Sequence, residues 1–493
     1  RIVRVEMAFR LARWLADQKE KSASLPHSLE MAAQRYAAEG AFIDWARNVL
    51  RGGEANKELA AGYMQLLEGV SEIREAENRY FARLLQKEAG GLHDGGKLVP
   101  VENIVERVVA KISKFSPVLV LLLDGMSCAV FREISADVLE NDWIEVGFDI
   151  KQRYLGLSAI PSVTEVSRTS LFCGSLKRGQ ASDEIVGFAS HPALLKVSKQ
   201  TASPRLFHKA SLEDTEDTSL SAEVRKAIAD KKLRVVGVVV NAVDDYLDKG
   251  DQIDVAWTIQ QIRVLAPILA EARSAERIVI LLSDHGHICE RQTEPRPGED
   301  GVRWRNASVP AGDGEIEITS ERVKVPEDGK IIVPWTEKIR YGTRKNGYHG
   351  GVTPQEMVIP IGLFCGGVRL PEGFEALPID LPSWWTEPAG PQVDVIKEEP
   401  SVEKPRKEVS LPLFAKATET KEAVTGVRWV EDIFTSEMFE RQEKMAGRVR
   451  ITDEQIKSVL IALTSRGGTM TETALASQLG LPAHRLSGLL AML

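Results

Sequence analysis

The sequence predicts an α/β protein: a parallel sheet buried on both faces, with helices before it and a small helical domain after it. Three observations carry that prediction. Short apolar runs alternate with helical stretches from Val101 to about Pro382, the pattern of strand–helix–strand units. Three of the runs, PVLVLLL (117–123), RVVGVVV (234–240) and RIVILL (277–282), hold Val, Ile and Leu without polar alternation. Strands covered on both faces require that composition. The 493 residues, 43% of them hydrophobic, allow about three domains and at least one large core.

The elements follow in order. The opening RIVRVEMAFRLARWLADQKE is amphipathic and lacks a signal-peptide core and cleavage site. Leu29 to Leu50 and Asn56 to Glu88 place Ala, Leu, Glu and Arg at helical spacing, parted by the break Arg51-Gly52-Gly53. Gly90-Gly91 and Gly95-Gly96 end this helical region, so it spans 1–96 and the α/β part 97–385. Residues 386–427, opening TEPAGPQVDVIKEEPSVEKPRKEVS, mix Pro, Glu, Lys and Val without period and read as a flexible linker. Over 428–493, Trp429 to Arg441 reads as one helix. ITDEQIKSVLIALTSRG and TETALASQLGLPAHRLSGLLAML read as three more in a helix-turn-helix arrangement. Arg1 in place of an initiator Met, and the uncapped end RLSGLLAML, read as a piece of a longer chain.

Composition excludes several classes. No apolar run approaches the roughly 20 residues of a membrane span. The formal charge of -8, from 63 basic and 71 acidic side chains, excludes global polybasic character, so any nucleic acid must be gripped locally. Cys128, Cys173, Cys289 and Cys365 form no C-x-x-C pair. That excludes a zinc ribbon and a disulfide framework and fits a reducing cytoplasm.

The informative feature is where the buried runs stop. The first enters Asp124-Gly125, the second Asn241-Ala242-Val243-Asp244-Asp245, the third Ser283-Asp284-His285-Gly286-His287. Ligands of an open parallel sheet bind beyond the carboxyl ends of its strands. One Asp-Gly is ordinarily a turn; three acidic endings repel one another unless a cation sits between them. Asp with His is the donor set of zinc or a similar divalent ion. His349 lies in RYGTRKNGYHGGVTPQEMVIPI, ahead of two glycines that permit close backbone approach, and MVIPI reads as a further strand. In IPSVTEVSRTSLFCG (160–174), Val163 to Phe172 has helical spacing closing at Gly174. Thr164 then sits in or beside the first turn, either as an N-cap or where free N–H groups favour a phosphate.

LLLDGMS, PSVTEVSRTSLFCG, NAVDDYLDKGD, SDHGH and YHGGVTPQE, in that order, resemble the PglZ branch of the alkaline-phosphatase superfamily. PglZ proteins are phosphatase-like components of BREX bacteriophage-defence systems, and the long helical lead-in is similar to the type-two BREX version. The resemblance implies an alkaline-phosphatase-like core holding two divalent metals, zinc first and manganese or magnesium as alternatives. Asp124, Thr164, Asp284 and His285 match the ligands of one metal, and Asp244 and His349 those of the other. Where the family often has a further His, this chain has Asp248, with Asp245 and Asp251 nearby; an oxygen donor there shifts preference toward manganese or magnesium.

The implied chemistry is phosphoester hydrolysis with Thr164 as nucleophile. Arg168, Arg344 and Lys345 are candidates for the phosphate oxygens, although each also fits a solvated surface charge. A phosphodiesterase or nuclease-like activity leads; a phosphomonoesterase, or a catalytically weak scaffold for a methyltransferase or ATPase partner, are the alternatives. A haloacid-dehalogenase mechanism is excluded, because Met126 stands where it needs a second Asp. Residues 430–493 carry seven Lys/Arg against eight Asp/Glu, so the terminal helices are not expected to bind duplex DNA by themselves.

Overall fold

The structure is a computed structural model and describes residues 2–20, 25–88, 96–148, 153–198, 202–212, 220–249, 255–298, 300–367, 370–386, 434, 452–464 and 479. The chain divides into two compact units, 1–392 and 393–493. Within the second unit, the helix Asp453–Thr464 falls inside the expected ITDEQIKSVLIALTSRG helix. The linker and the other terminal helices lie outside the described residues.

The first unit is built on a nine-stranded sheet. Seven of its strands are β1 (Leu98–Pro100), β2 (Val118–Leu123), β3 (Ile144–Phe148), β4 (Tyr154–Leu157), β5 (Arg205–Phe207), β6 (Val235–Val240) and β7 (Ile278–Leu282). The others are Val358–Cys365 and Phe374–Ala376. The three predicted runs are β2, β6 and β7, buried at every position. Successive side chains of a strand point to opposite faces. Accordingly Val118, Val120 and Leu122 join one core cluster, and Leu119, Leu121 and Leu123 join the other. The first cluster also takes Leu29, Ala33 and Phe81 from the lead-in helices, and the second takes Phe131, Ile228 and Ile268 from the opposite layer. Polar alternation would have left one face wet, which is why these runs carry none.

The sheet is not purely parallel. β2 pairs in parallel with β6 and β7, but Val358–Cys365 runs antiparallel between β7 and β4, and β3 and Phe374–Ala376 are antiparallel too. MVIPI does form the start of a strand; its direction is set by the loop that returns it, which composition does not encode. The lead-in contains the helices Ile2–Glu20, Leu29–Arg35, Ala41–Leu50 and Lys57–Glu88. The expected continuous helix from Leu29 is interrupted by a π-turn at Tyr36–Gly40. Met7, Trp14, Phe42 and Val70 form their own core, onto which Trp384 and Trp385 return. Between β7 and the last long strand an insertion carries a three-stranded antiparallel sheet, Arg305–Asn306, Lys330–Pro334 and Glu315–Thr319. Among the described residues no helix is long and apolar enough to cross a membrane.

Candidate metal centre

The spatial order β7-β2-β6 and the parallel register, with Leu123 beside Val240 and Leu122 beside Leu282, bring three carboxyl ends to one edge. Asp124, Asn241 and Ser283-Asp284-His285 therefore emerge together. Gly125 adopts φ +73°, a left-handed turn that favours glycine, and its N–H points at Asp284 Oδ1 (3.4 Å). Gly286 is needed for a different reason: a Cβ there would lie 2.0 Å from the Gln355 carbonyl oxygen. Asp124, Asp284 and His285 are fully buried and present donor atoms within 4.8 Å of one another, the one such group of three or more among the described residues.

Thr164 reaches this group from another layer. It is the first residue of the helix Thr164–Cys173, whose N-cap is Val163 and whose C-cap is Gly174 at φ +69°. No side chain caps this N-terminus, so the Thr164 hydroxyl is not spent as an N-cap. Its Oγ1 instead lies 3.3 Å from Asp124 Oδ1 and 3.0 Å from His285 Nε2. His285 Nδ1 faces the Gly286 carbonyl at 3.0 Å, which assigns the ring proton to Nδ1 and leaves the Nε2 lone pair toward Thr164.

The electrostatics are those of a site short of positive charge. Burial, then the neighbouring Asp284, pushes the Asp124 carboxyl up to about 7. Burial pushes Asp284 up to about 6, and burial with the nearby His349 pulls His285 down to about 4. Asp284 Oδ2 is buried without a hydrogen-bond partner. Two desolvated carboxylates, an orphaned oxygen and an available imidazole nitrogen fit a divalent cation.

A second pair adjoins the first. Asp244 lies in the first turn of the helix Ala242–Lys249, past the strand end where sequence placed it. Its Oδ1 is 3.4 Å from His349 Nε2, and the His349 and His285 rings stack at 4.4 Å. Burial alone would raise the Asp244 carboxyl; the hydrogen bond and charge of His349 overcome it and hold it at about 2. His349 is raised in turn: burial opposes its charge, but Asp244 and the Ser162 carbonyl both favour the protonated ring.

The remaining candidates lie as follows. Asp248 is partly exposed and pairs with Lys345 at 2.5 Å, while bordering the same small pocket as Asp244 and His349. Asp245 is exposed and pairs with Lys209, and Asp251 lies outside the described residues. Arg344 is exposed, 3.5 Å from Glu290. Arg168 departs from the surface reading: it is buried, its Nε donating to both Glu184 oxygens (3.1 and 3.0 Å) and its Nη1 to Asp124 Oδ2. Asn241 Nδ2 also donates to Asp124 Oδ2 at 2.7 Å. Together they turn Asp124 Oδ1 toward Thr164 and His285.

Sequence reasoning missed Asn241, Glu184 and His287. Asn241 had a signal, being the residue directly after a buried strand. His287, buried with Nδ1 2.7 Å from the Gly125 carbonyl, sat unassigned in the same SDHGH. Glu184 had none, because a helical Glu is ordinarily solvated.

Comparison with known proteins adds the family. The profile described as the BREX system PglZ alkaline phosphatase-like domain matches residues 103–363, and that of the BREX system PglZ C-terminal domain matches 425–493. No curated protein matches the chain in sequence. Among solved structures, murine ectonucleotide pyrophosphatase/phosphodiesterase 5 is 12% identical with a TM-score of 0.34, over 50% of this chain and 87% of that one. Phosphonoacetate hydrolase from Sinorhizobium meliloti 1021 is 13% identical with a TM-score of 0.33, over 50% and 89%. The matched profiles take in the strand ends, the Thr164 helix and the His349 loop: the chain belongs to the PglZ family of BREX systems, with an alkaline phosphatase-like domain over 103–363.

Proposed function

We propose that this chain is a metal-dependent phosphoesterase, acting on phosphodiesters, with Thr164 as nucleophile. The observation that carries the reading is the Thr164 hydroxyl, uncommitted as a cap and within hydrogen-bonding distance of Asp124 Oδ1 and His285 Nε2. Asp124, Asp284 and His285 would hold one ion, zinc first by donor chemistry and manganese or magnesium as alternatives, and Asp244 with His349 the second. Such ions supply the positive charge that lowers the pKa of a hydroxyl and neutralises a phosphoryl group.

The chain's own residues do the rest. Asn241 and Arg168 fix Asp124, and the Thr164 proton has two acceptors in reach, Asp124 Oδ1 and His285 Nε2. Thr164 Oγ bonds to phosphorus as the leaving alcohol's P–O bond breaks; water then hydrolyses the phosphothreonine and restores the hydroxyl. In the first turn of the Thr164 helix the Val166 N–H donates to the Val163 carbonyl at 3.1 Å, and the N–H groups of Thr164 and Glu165 suit the phosphoryl oxygens. Of the cations put forward for those oxygens, Arg168 serves Asp124 instead, and Arg344 and Lys345 stand at the rim. Methyltransferase and ATPase components of the defence system are the proposed partners.

Thr164→Ala should abolish hydrolysis of bis-p-nitrophenyl phosphate while leaving the melting temperature unchanged. Retained activity in that variant, with loss in Ser162→Ala or Ser167→Ala, would move the nucleophile elsewhere. A scaffold without catalysis is the second reading, favoured by the pairing of Asp248 with Lys345, which leaves the second set one carboxylate and one imidazole. Metal analysis of the purified protein separates the two: near two divalent ions per chain supports catalysis, and none supports the scaffold.

A further inference from the structure

Ser162 precedes Thr164 by two residues and is fully buried, yet its side chain takes no part in the chemistry proposed for Thr164. Its Oγ donates to the Gly351 carbonyl at 2.9 Å and accepts the Gly350 N–H at 3.1 Å. Its own carbonyl faces His349 Nδ1 at 3.3 Å. Three contacts from one residue thus join the segment entering the Thr164 helix to the loop that carries His349, 187 residues away. A hydroxyl has one proton to donate, and Ser162 commits its own to this loop.

The far side of the loop is held as well. Glu356 Oε1 accepts the Gly351 N–H at 2.8 Å, and Glu356 Oε2 accepts the Thr353 hydroxyl at 2.8 Å. Arg303, itself fully buried, pairs with Glu356 at 2.9 Å. The backbone here has little slack. Gly350 adopts φ +112°, and a Cβ on Gly351 would lie 2.6 Å from Glu356 Oε2. Gly351 is therefore gripped at its N–H by Glu356 and at its carbonyl by Ser162, two residues after His349.

His349 is the side chain this grip serves. Its Nε2 faces Asp244 Oδ1 at 3.4 Å, and its ring stacks on His285 at 4.4 Å. In a metal-binding imidazole, the hydrogen bond made by one ring nitrogen decides that the other is the ligand atom. Donation from Nδ1 to the Ser162 carbonyl leaves Nε2, on the Asp244 side, for an ion. We infer that Ser162 is a positioning residue for the second ion: its hydroxyl fixes the Gly350–Gly351 backbone so that His349 meets the Ser162 carbonyl and turns Nε2 toward Asp244. The same residue leads into the Thr164 helix, so the nucleophile and the second pair are held in one frame.

This rests on the two-ion reading of the site, and ion binding tests it without turnover. Titration calorimetry of the full chain with manganese reads both ions, and His349→Ala identifies the second as the one it removes. Ser162→Ala should weaken that ion about tenfold and leave the other unchanged. Ser162→Cys, whose thiol donates and accepts weakly, should fall between; a thiol is a poor ligand for so hard a cation. Ser167→Ala is the matched control. Its hydroxyl is equally buried but bonds Ser158 Oγ at 2.8 Å, and its removal should move neither affinity. Raised manganese should restore hydrolysis of bis-p-nitrophenyl phosphate in Ser162→Ala, as it could not for a lost nucleophile. Unchanged affinities in Ser162→Ala, equal weakening of both ions, or the same loss in Ser167→Ala overturns the role. Should Ser162→Ala fail to fold, second-ion affinity in Ser162→Cys equal to that of the unaltered chain overturns it. Two ions bound with indifference to Ser162 would sink this role alone. An unaltered chain that binds no ion would remove the proposed function with it.

Discussion

Two groups of buried carboxylates in this molecule meet opposite fates. At the seam between the lead-in helices and the insertion, Glu337 accepts both Arg47 Nη1 and Nη2 at 3.0 Å and Gln355 Nε2 at 2.7 Å. Asp44 there accepts Arg47 at 2.7 Å and Arg74 at 3.2 Å. At the sheet edge, Asp124 and Asp284 are as deeply buried, yet Asp284 Oδ2 accepts no hydrogen bond and faces His285 Nε2 at 3.6 Å. The consequence is visible in their acidity: Arg47 overcomes burial to hold Glu337 well below the carboxylate range, whereas Asp124 and Asp284 are pushed up to about 7 and about 6. Glu337 and Asp44 are each met by guanidinium groups that satisfy them; Asp124 is met by Arg168 as well, yet burial and the adjacent Asp284 keep its carboxyl raised.

The comparison breaks most visibly at Glu337. Glu337→Ala leaves Arg47 buried without its main partner and should destabilise the fold by about 3–5 kcal/mol, read from urea denaturation. In the unaltered chain the same pair sets an acid limit. Glu337 binds fewer protons folded than unfolded, so its contribution is present above its ordinary value of 4.5 and is lost as pH falls below it. Glu337→Gln should flatten the stability profile below that point; an unchanged slope would show that the seam does not govern acid unfolding.

Asp284→Asn should do the reverse. Without an ion, one of two mutually repelling carboxylates is gone, so the melting temperature should hold or rise. The stabilisation by zinc or manganese, about 2.7 kcal/mol at a hundredfold excess over Kd, should vanish. Ion-induced stabilisation that survives this substitution would place the ion elsewhere.

Smaller effects sharpen the picture. Asn241→Ala frees Asp124 Oδ2 from one donor and should weaken ion affinity about tenfold by calorimetry, without touching the Glu337 seam. Asp248→Ala breaks a half-exposed pair with Lys345 and should change stability by about 1 kcal/mol or less. A loss of one bound ion in that variant would instead make Asp248 a ligand.

How far the site was legible from sequence follows the same physics. The runs that became β2, β6 and β7 announced themselves because burial on both faces forbids polar alternation, and their endings named Asp124, Asp284 and His285. The segment Val163 to Phe172 similarly gave the helix that Thr164 opens. Asn241 was signalled by its place directly after a buried strand but not by its partner, and Glu184 by nothing, since each acts through a residue distant in sequence. Arg168 read as a surface charge, because one helical Arg resembles another until a buried Glu stands opposite it.

The sequence by itself determined which segments are strands, where they end, and that acids and a histidine gather at those ends, because these are local consequences of hydrophobic period and chain direction. Only the tertiary structure decided the antiparallel course of Val358–Cys365, the pairing of Asp248 with Lys345, and the neutralisation of Arg168 by Glu184 and Asp124. It also decided that Arg47 saturates Glu337 while Asp284 Oδ2 is left without a hydrogen bond. Those outcomes depend on which surfaces meet, and a meeting of surfaces is written in no single stretch of chain.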